Sequence, residues 1–406
     1  MQTEERFLKY IKFDTQSKEE VRRIPSTEKQ RKLAEYLYNE LKSMGAKHIR
    51  LTPASYVYAE IPATSKRDIP ALGFISHIDT SPEVSGANIK PQIINAYPGG
   101  DVTLNKSRGI ILPSADYPQL KNYIGQDVIF TDGTTLLGAD DKAGVAEIMT
   151  MAEYFLNHPE IEHGKIMIGF TPDEEVGRGA DEFNVKKFGA DFAFTVDGEA
   201  ANEIEYENFN AASALVEITG YSIHPGTAKG KMKNACLLAM EFHNMLPSEQ
   251  APVYTEGYEG FFHLAYSEAD VEHAVLKYAV RDHSRELFSA KKSLMEAAAA
   301  AMNEKYGKDT VKLTLTDSYY NMKEKILPHM HLIDNAKKAM MLAGLEPKTQ
   351  PIRGGTDGAR LSYMALPCPN LGTGGHNFHS RFEYISVQSL RKVTEVLINI
   401  VKIYAE

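Results

Sequence analysis

Apolar residues recur at helical spacing near the start of the chain. Leu33, Leu37, Leu41 and Met44 mark one face of a helix over residues 28–44, and Gly45 stands where a C-cap belongs. Short apolar runs follow at 56–61, 71–78, 165–170 and 192–196. Runs of that length predict strands buried on both faces, as in a mostly parallel sheet. A helix fits between the second and third runs, from about 142 to 156. Strands and helices in alternation predict an α/β layer structure.

The pattern changes after Glu207. Residues 212–219 alternate as a strand, 232–246 read as a helix, and strands fit 260–267 and 272–281. A long Ala-rich helix spans 285–306, and 311–315 alternates again. The order β-α-β-β-α-β is the split βαβ, ferredoxin-like arrangement. The α/β alternation then resumes with a helix near 329–343. It closes with a helix carrying Val387, Leu390, Val393, Leu397 and Val401. The expected fold is therefore α/β: a mixed, mostly parallel sheet domain of residues 1–207 and 316–406, with an inserted α+β domain at 208–315.

Length agrees with this division, because 406 residues exceed one ordinary core. The formal net charge of −9 disfavours nucleic acid and anionic membrane as partners. The start, Met1-Gln-Thr-Glu-Glu-Arg-Phe-Leu, does not read as a secretory leader, and no apolar run approaches the ~18 residues of a membrane span. Cys236 and Cys368 form no Cys-x-x-Cys pair and read as reduced thiols, so a cytoplasmic location is expected.

Chemistry concentrates at the ends of the apolar runs. The run at 71–78 ends in His77-Ile-Asp79, whose side chains share one side of a strand. An Asp two residues from a metal-bound His is well placed to orient it, although such a pair also occurs as plain surface polarity. Asp140 and Asp141 are adjacent at a helix start. One Asp suffices for capping, and a second costs repulsion unless a cation is near. Asp173, Glu174 and Glu175 follow the run at 165–170, and Asp197 and Glu199 follow the run at 192–196. His376 and His379 lie on a late Gly-rich loop. In open α/β sheets the edge beyond the strand C-termini is where ligands bind. Carboxylates and imidazoles converging there without a cation are costly. Two divalent ions resolve the cost. The mixed donor set suits zinc, with cobalt or manganese also compatible. Metal pairs ~3.5–4 Å apart are typical of aminopeptidases and related hydrolases.

At these residues the sequence resembles the M20 metallopeptidase family, and within it the tripeptide-cleaving aminopeptidases. The matching segments are Ser76-His77-Ile-Asp79-Thr, Gly138-Ala-Asp140-Asp141-Lys-Ala-Gly, Asp173-Glu174-Glu175-Val-Gly, Val196-Asp197-Gly-Glu199, Ile223-His224-Pro-Gly, Arg353-Gly-Gly-Thr-Asp357-Gly and His376-Asn-Phe-His379-Ser. The resemblance implies two metal ions. His77, Asp140 and Asp197 would hold one, and Asp140, Glu175 and His379 the other, with Asp140 bridging. It implies that Asp79 orients His77, that Glu174 is general base and acid, and that a cis peptide joins Asp140 to Asp141. It casts 208–315 as a lid that also forms homodimers. His224 would meet the scissile oxygen and Arg281 the substrate carboxylate; Arg353, in a Gly-rich turn, is a second group whose guanidinium suits a carboxylate bidentately. On physical grounds, apart from the resemblance, acids near the metals would place a substrate α-amine, Asp173 or Glu199. The implied reaction is release of the N-terminal residue from tripeptides.

Other M20 activities, namely dipeptidase, carboxypeptidase and N-acyl amino acid deacylase, would use the same metals. A non-catalytic scaffold would not need Glu174 beside a ligand Glu175. No Gly-x-Ser-x-Gly supports a serine nucleophile, and the Arg353 turn lacks the Gly-Lys-Ser/Thr ending of a phosphate loop.

Overall fold

The apolar run at 71–78 forms the strand Leu72–His77, all six residues of which are buried. It lies in an eight-stranded sheet with the order Lys47–Leu51, Val57–Ile61, Ile166–Thr171, Leu72–His77, Phe192–Gly198, Asn370–Gly372, Glu203–Glu205 and Lys348–Thr349. The four central strands are parallel, and Val57–Ile61 and Glu203–Glu205 pair antiparallel with the outer two of them. The sheet is mixed, as expected. Register aligns His77 with Thr171 and Ile75 with Thr195. The chain therefore leaves Leu72–His77, Ile166–Thr171 and Phe192–Gly198 along one edge, and the polar residues that follow are delivered to one place.

The helix Ala139–Asn157 crosses the same edge. Its approach depends on Gly144. A Cβ there would sit 2.0 Å from the Val196 carbonyl oxygen and 2.5 Å from both Asp141 Oδ1 and Ser76 Oγ. Only glycine lets the helix start come this close to two strand ends. The amphipathic helix Val387–Ala405 packs against it, as does Thr3–Tyr10.

The computed structural model describes all 406 residues, and they fall into two units. The first comprises Met1–Tyr206, Glu324–Gln350 and Thr356–Glu406. It also holds a second, antiparallel sheet of Gly375–His376, Tyr384–Ser386, Val128–Phe130 and Gln92–Ile94. Its core includes Tyr97, Leu112, Tyr123, Phe130 and Tyr384. The hydrophobic pattern does not predict this sheet, because strands of two or three residues carry no measurable period.

The second unit comprises Glu207–Lys323 and Pro351–Gly355. Its four antiparallel strands run in the order Phe261–Ala269, His273–Asp282, Asn210–Thr219 and Val311–Tyr319. The helices Ala235–Asn244 and Arg285–Tyr306 supply the apolar layer, with Phe242, Tyr278, Phe288 and Met302 in the core. The last strand runs to Tyr319, beyond the boundary at 315. Residues 351–355 join this unit and not the larger one, because Ile352 N–H donates to the Glu207 carbonyl at 2.8 Å.

Candidate metal centre

The three strand ends, the helix start and the loop after Gly375–His376 bring two donor groups together, His77 with Asp140 and Asp197, and Asp140 with Glu175 and His379. Asp140 belongs to both. His77 Nε2 lies 2.8 Å from Asp140 Oδ1 and 3.2 Å from Asp197 Oδ1. His379 Nε2 lies 3.1 Å from Asp140 Oδ2 and 2.8 Å from Glu175 Oε2. One carboxylate thus offers one oxygen to each group.

The electrostatics of the cluster fit divalent cations. Burial, and then the charge of Asp140, pushes the Glu175 carboxyl up to about 8. Burial pushes Asp197 up to about 6, against the pull of His77. His379 is pushed up to about 11; burial works against its charge, and hydrogen bonds to Asp140 and Glu175 outweigh it. The acids draw protons onto the imidazoles, which is the demand for positive charge that a metal ion meets. Glu175 Oε1 is buried with no hydrogen-bond partner, an arrangement costly for a carboxylate unless it binds a cation. Carboxylate and imidazole donors together suit zinc.

The residues around the donors hold them in place. His77 Nδ1 faces Asp79, at 3.1 Å from its carbonyl and 3.4 Å from Oδ1. The two Asp79 oxygens also accept the backbone N–H groups of Glu174 at 3.0 Å and Glu175 at 3.2 Å. Asp79 therefore couples the imidazole to the acidic turn. Asp141, joined to Asp140 by a cis peptide, accepts from His77 N–H at 3.1 Å and Gly144 N–H at 3.2 Å, tying strand end to helix start.

The three consecutive acids diverge completely. Asp173 adopts the left-handed conformation, φ 58°, and turns back into the protein. It accepts from Ser26 N–H at 2.7 Å, Ser26 Oγ at 2.5 Å and Gln30 Nε2 at 2.6 Å. It is fully engaged, which removes it as a reader of a substrate amine. Glu174 is half-buried and its carboxyl makes no hydrogen bond. Burial, and then Asp197, holds that carboxyl well above the usual range. Glu175 turns to His379.

Glu383 belongs to no motif that the sequence displays. Its buried carboxylate accepts three backbone N–H groups, from Leu137 at 2.6 Å, Gly138 at 2.7 Å and Asp140 at 3.0 Å. It holds the turn that presents Asp140 from 243 residues away. Its only sequence signal is an isolated acid before Tyr384 and Ile385, which begin a three-residue buried strand. Buried Lys142, whose ammonium donates to the Phe13 carbonyl at 2.8 Å, supplies nearby positive charge. Glu383→Gln is expected to present an amide N–H₂ to donors that need an acceptor. Metal affinity should fall by ~10–100-fold, the usual cost of losing a group that orients a ligand. Calorimetric zinc titration of chelator-treated protein measures it, and an unchanged affinity refutes the role.

His224, Arg281 and Arg353 lie in the second unit. His224 is exposed, and its Nδ1 accepts from Gly226 N–H at 3.1 Å, leaving Nε2 unengaged. Arg281 donates to the Ala212 and Val280 carbonyls, both at 3.0 Å, and its guanidinium lies 5.6 Å from the Tyr319 ring centroid. Arg353 clamps the 255–259 loop, donating to the carbonyls of Gly257 at 2.8 Å, Glu259 at 3.0 Å and Thr255 at 3.2 Å. In this conformation its donors serve the loop.

Comparison with known proteins agrees with this architecture. The profile of the M20 peptidase dimerisation domain matches residues 206–310. Peptidase T of Caldanaerobacter subterraneus is 54% identical over 402 residues, covering 99% of this chain and 98% of the relative. Among solved structures, the aminopeptidase PepT of Bacillus cereus aligns with a TM-score of 0.79 at 22% identity, covering 100% of this chain and 98% of that one. A dinuclear metal-binding M20 peptidase of Bacillus subtilis aligns with a TM-score of 0.65 at 14% identity, covering 99% and 97%.

Proposed function

We propose that this chain, which belongs to the peptidase T family of M20 peptidases, is a di-zinc aminopeptidase that releases the N-terminal residue from tripeptides. The observation that carries the reading is the pair of donor groups sharing Asp140, with the free carboxyl of Glu174 beside them. His77, Asp140 and Asp197 would hold one ion, and Asp140, Glu175 and His379 the other. When bound, the ions supply Lewis-acid polarisation and lower the pKa of a water from ~15.7 toward ~7.

The chain's own residues do the rest. Glu174 takes a proton from the attacking water as its oxygen bonds to the scissile carbonyl carbon. It delivers that proton to the leaving nitrogen as the C–N bond breaks. A carboxyl held above its usual range is better matched to both tasks near neutral pH than an ordinary one. Asp79 keeps the His77 ring oriented with Nε2 toward the donors. His224 is assigned to the scissile oxygen, and Arg281 or Arg353 to the far carboxylate, whose planar shape suits a guanidinium. The dimerisation profile supports a homodimer through the second unit. No helix is long and apolar enough to cross a membrane, and a cytoplasmic location is part of this reading.

A tripeptide limit requires that both substrate ends be read. The test compares one tripeptide with its C-terminal amide and its N-acetyl form. Both modifications are expected to lower kcat/KM, and loss of the remote carboxylate should lower kcat as well as raise KM. Equal kcat/KM for all three would instead favour a deacylase or a general peptidase.

A further inference from the structure

Beside the donor cluster lies a cavity of about 570 Å³, and its walls grow out of the same loops that carry the ligands. Glu199 follows Asp197 by two residues, and His376 precedes His379 by three. The lining is mostly polar, with the amides of Gln119, Asn122 and Asn202 among its groups. His376 is 5% exposed, and its Nε2 meets the Tyr123 hydroxyl. Its Nδ1 makes no hydrogen bond and faces Glu199 Oε2 at 4.0 Å.

The carboxylates of the cavity differ in their surroundings. Glu346 is an exposed residue of the loop before Lys348. Glu203 is compensated by Lys348 Nζ at 3.7 Å and accepts from Ala200 N–H at 3.1 Å. Glu199 alone stands against the buried imidazole; it has no cation against it, and its side chain is 58% exposed. His376 does not compensate it, because burial drives that imidazole down to about 4 and keeps it neutral. Next to the metal ligands the cavity therefore presents a carboxylate with no cation against it, faced by the Nδ1 of a mostly buried imidazole and walled by neutral amides. A group that completes such a site is a hydrogen-bonding cation.

We infer that this cavity receives a positively charged group of the substrate's N-terminal residue, with Glu199 as its counterion. The inference rests on the aminopeptidase reading. Two sources share that chemistry, the α-ammonium and a cationic side chain. The choice of N-terminal residue would then be set partly by Glu199.

The test uses the metal-loaded enzyme and its Glu199→Gln variant, with Lys-Gly-Gly and norleucyl-Gly-Gly as substrates. The partly exposed position predicts an unchanged thermal midpoint and metal content. A loss in kcat/KM of about 10- to 100-fold is expected, the range of a hydrogen bond to a charged group. A loss confined to Lys-Gly-Gly assigns the cavity to the side chain. An equal loss on both substrates assigns it to the α-ammonium. Unchanged kcat/KM on both overturns the inference while leaving the aminopeptidase reading intact. A wild-type enzyme that cleaves neither peptide overturns both.

Discussion

Glu174→Gln is expected to lower kcat by ~10²–10⁴-fold while leaving two bound metal ions and a nearly unchanged KM. The substitution keeps the size of the side chain and removes its ability to accept a proton. The contact that holds residue 174 in place is its backbone N–H on Asp79 Oδ1, at 3.0 Å, and a side-chain change leaves it intact. The carboxyl itself is a member of neither donor group, so both groups keep all their donor atoms. Glu175→Gln is the informative contrast. Glu175 Oε2 lies 2.8 Å from His379 Nε2 within a donor group, so that variant should lose metal as well as activity. Elemental analysis and steady-state kinetics on both proteins separate the roles. Activity of Glu174→Gln within a few-fold of wild type would show that protons move by another route.

Zinc should stabilise the chelator-treated protein strongly, and Asp140→Asn should abolish most of that effect. A ligand bound only by the folded state adds RT ln(1 + [L]/Kd), about 4 kcal/mol at a thousandfold excess over Kd. For a chain of 406 residues that corresponds to a rise in Tm of about five degrees. Asp140 is the shared member, offering Oδ1 toward His77 at 2.8 Å and Oδ2 toward His379 at 3.1 Å. Its carboxyl is held well below the usual range: burial opposes ionisation, and the hydrogen bonds from His379 and His77 outweigh it. Asparagine keeps one acceptor oxygen and removes the charge that both groups need. Thermal unfolding across a zinc titration, with metal counted per chain, reads the result. A zinc-dependent rise in Asp140→Asn equal to that of wild type would mean that the two groups do not share this ligand.

The roles of consecutive acids show where reading the chain alone runs out. Asp173, Glu174 and Glu175 are chemically near-equivalent neighbours in the sequence. A left-handed backbone at Asp173 sends its carboxylate to Ser26 and Gln30, and the next two residues then point elsewhere. No local pattern encodes that difference, because the partners lie 143 to 204 residues away. Arg353 is similar. Its motif suggests a carboxylate reader, and its guanidinium holds the carbonyls of a loop about a hundred residues before it in the chain.

Local pattern suffices for the alternation of buried strands and helices, the split βαβ order and the acids standing past the strand ends. A period of two or 3.6 residues, or a polar residue after an apolar run, is legible within one short window. The second sheet, the Glu383 carboxylate under the Asp140 turn, and the choice of which oxygen meets which imidazole arise only on folding. They follow from strand register and from contacts far apart in sequence. A one-residue slip of the His77↔Thr171 pairing would send the residues beyond it to the opposite face and dissolve the cluster. Register of that kind is set by the packing of the whole core around Phe74, Ile75 and Phe194, not by any window of the chain.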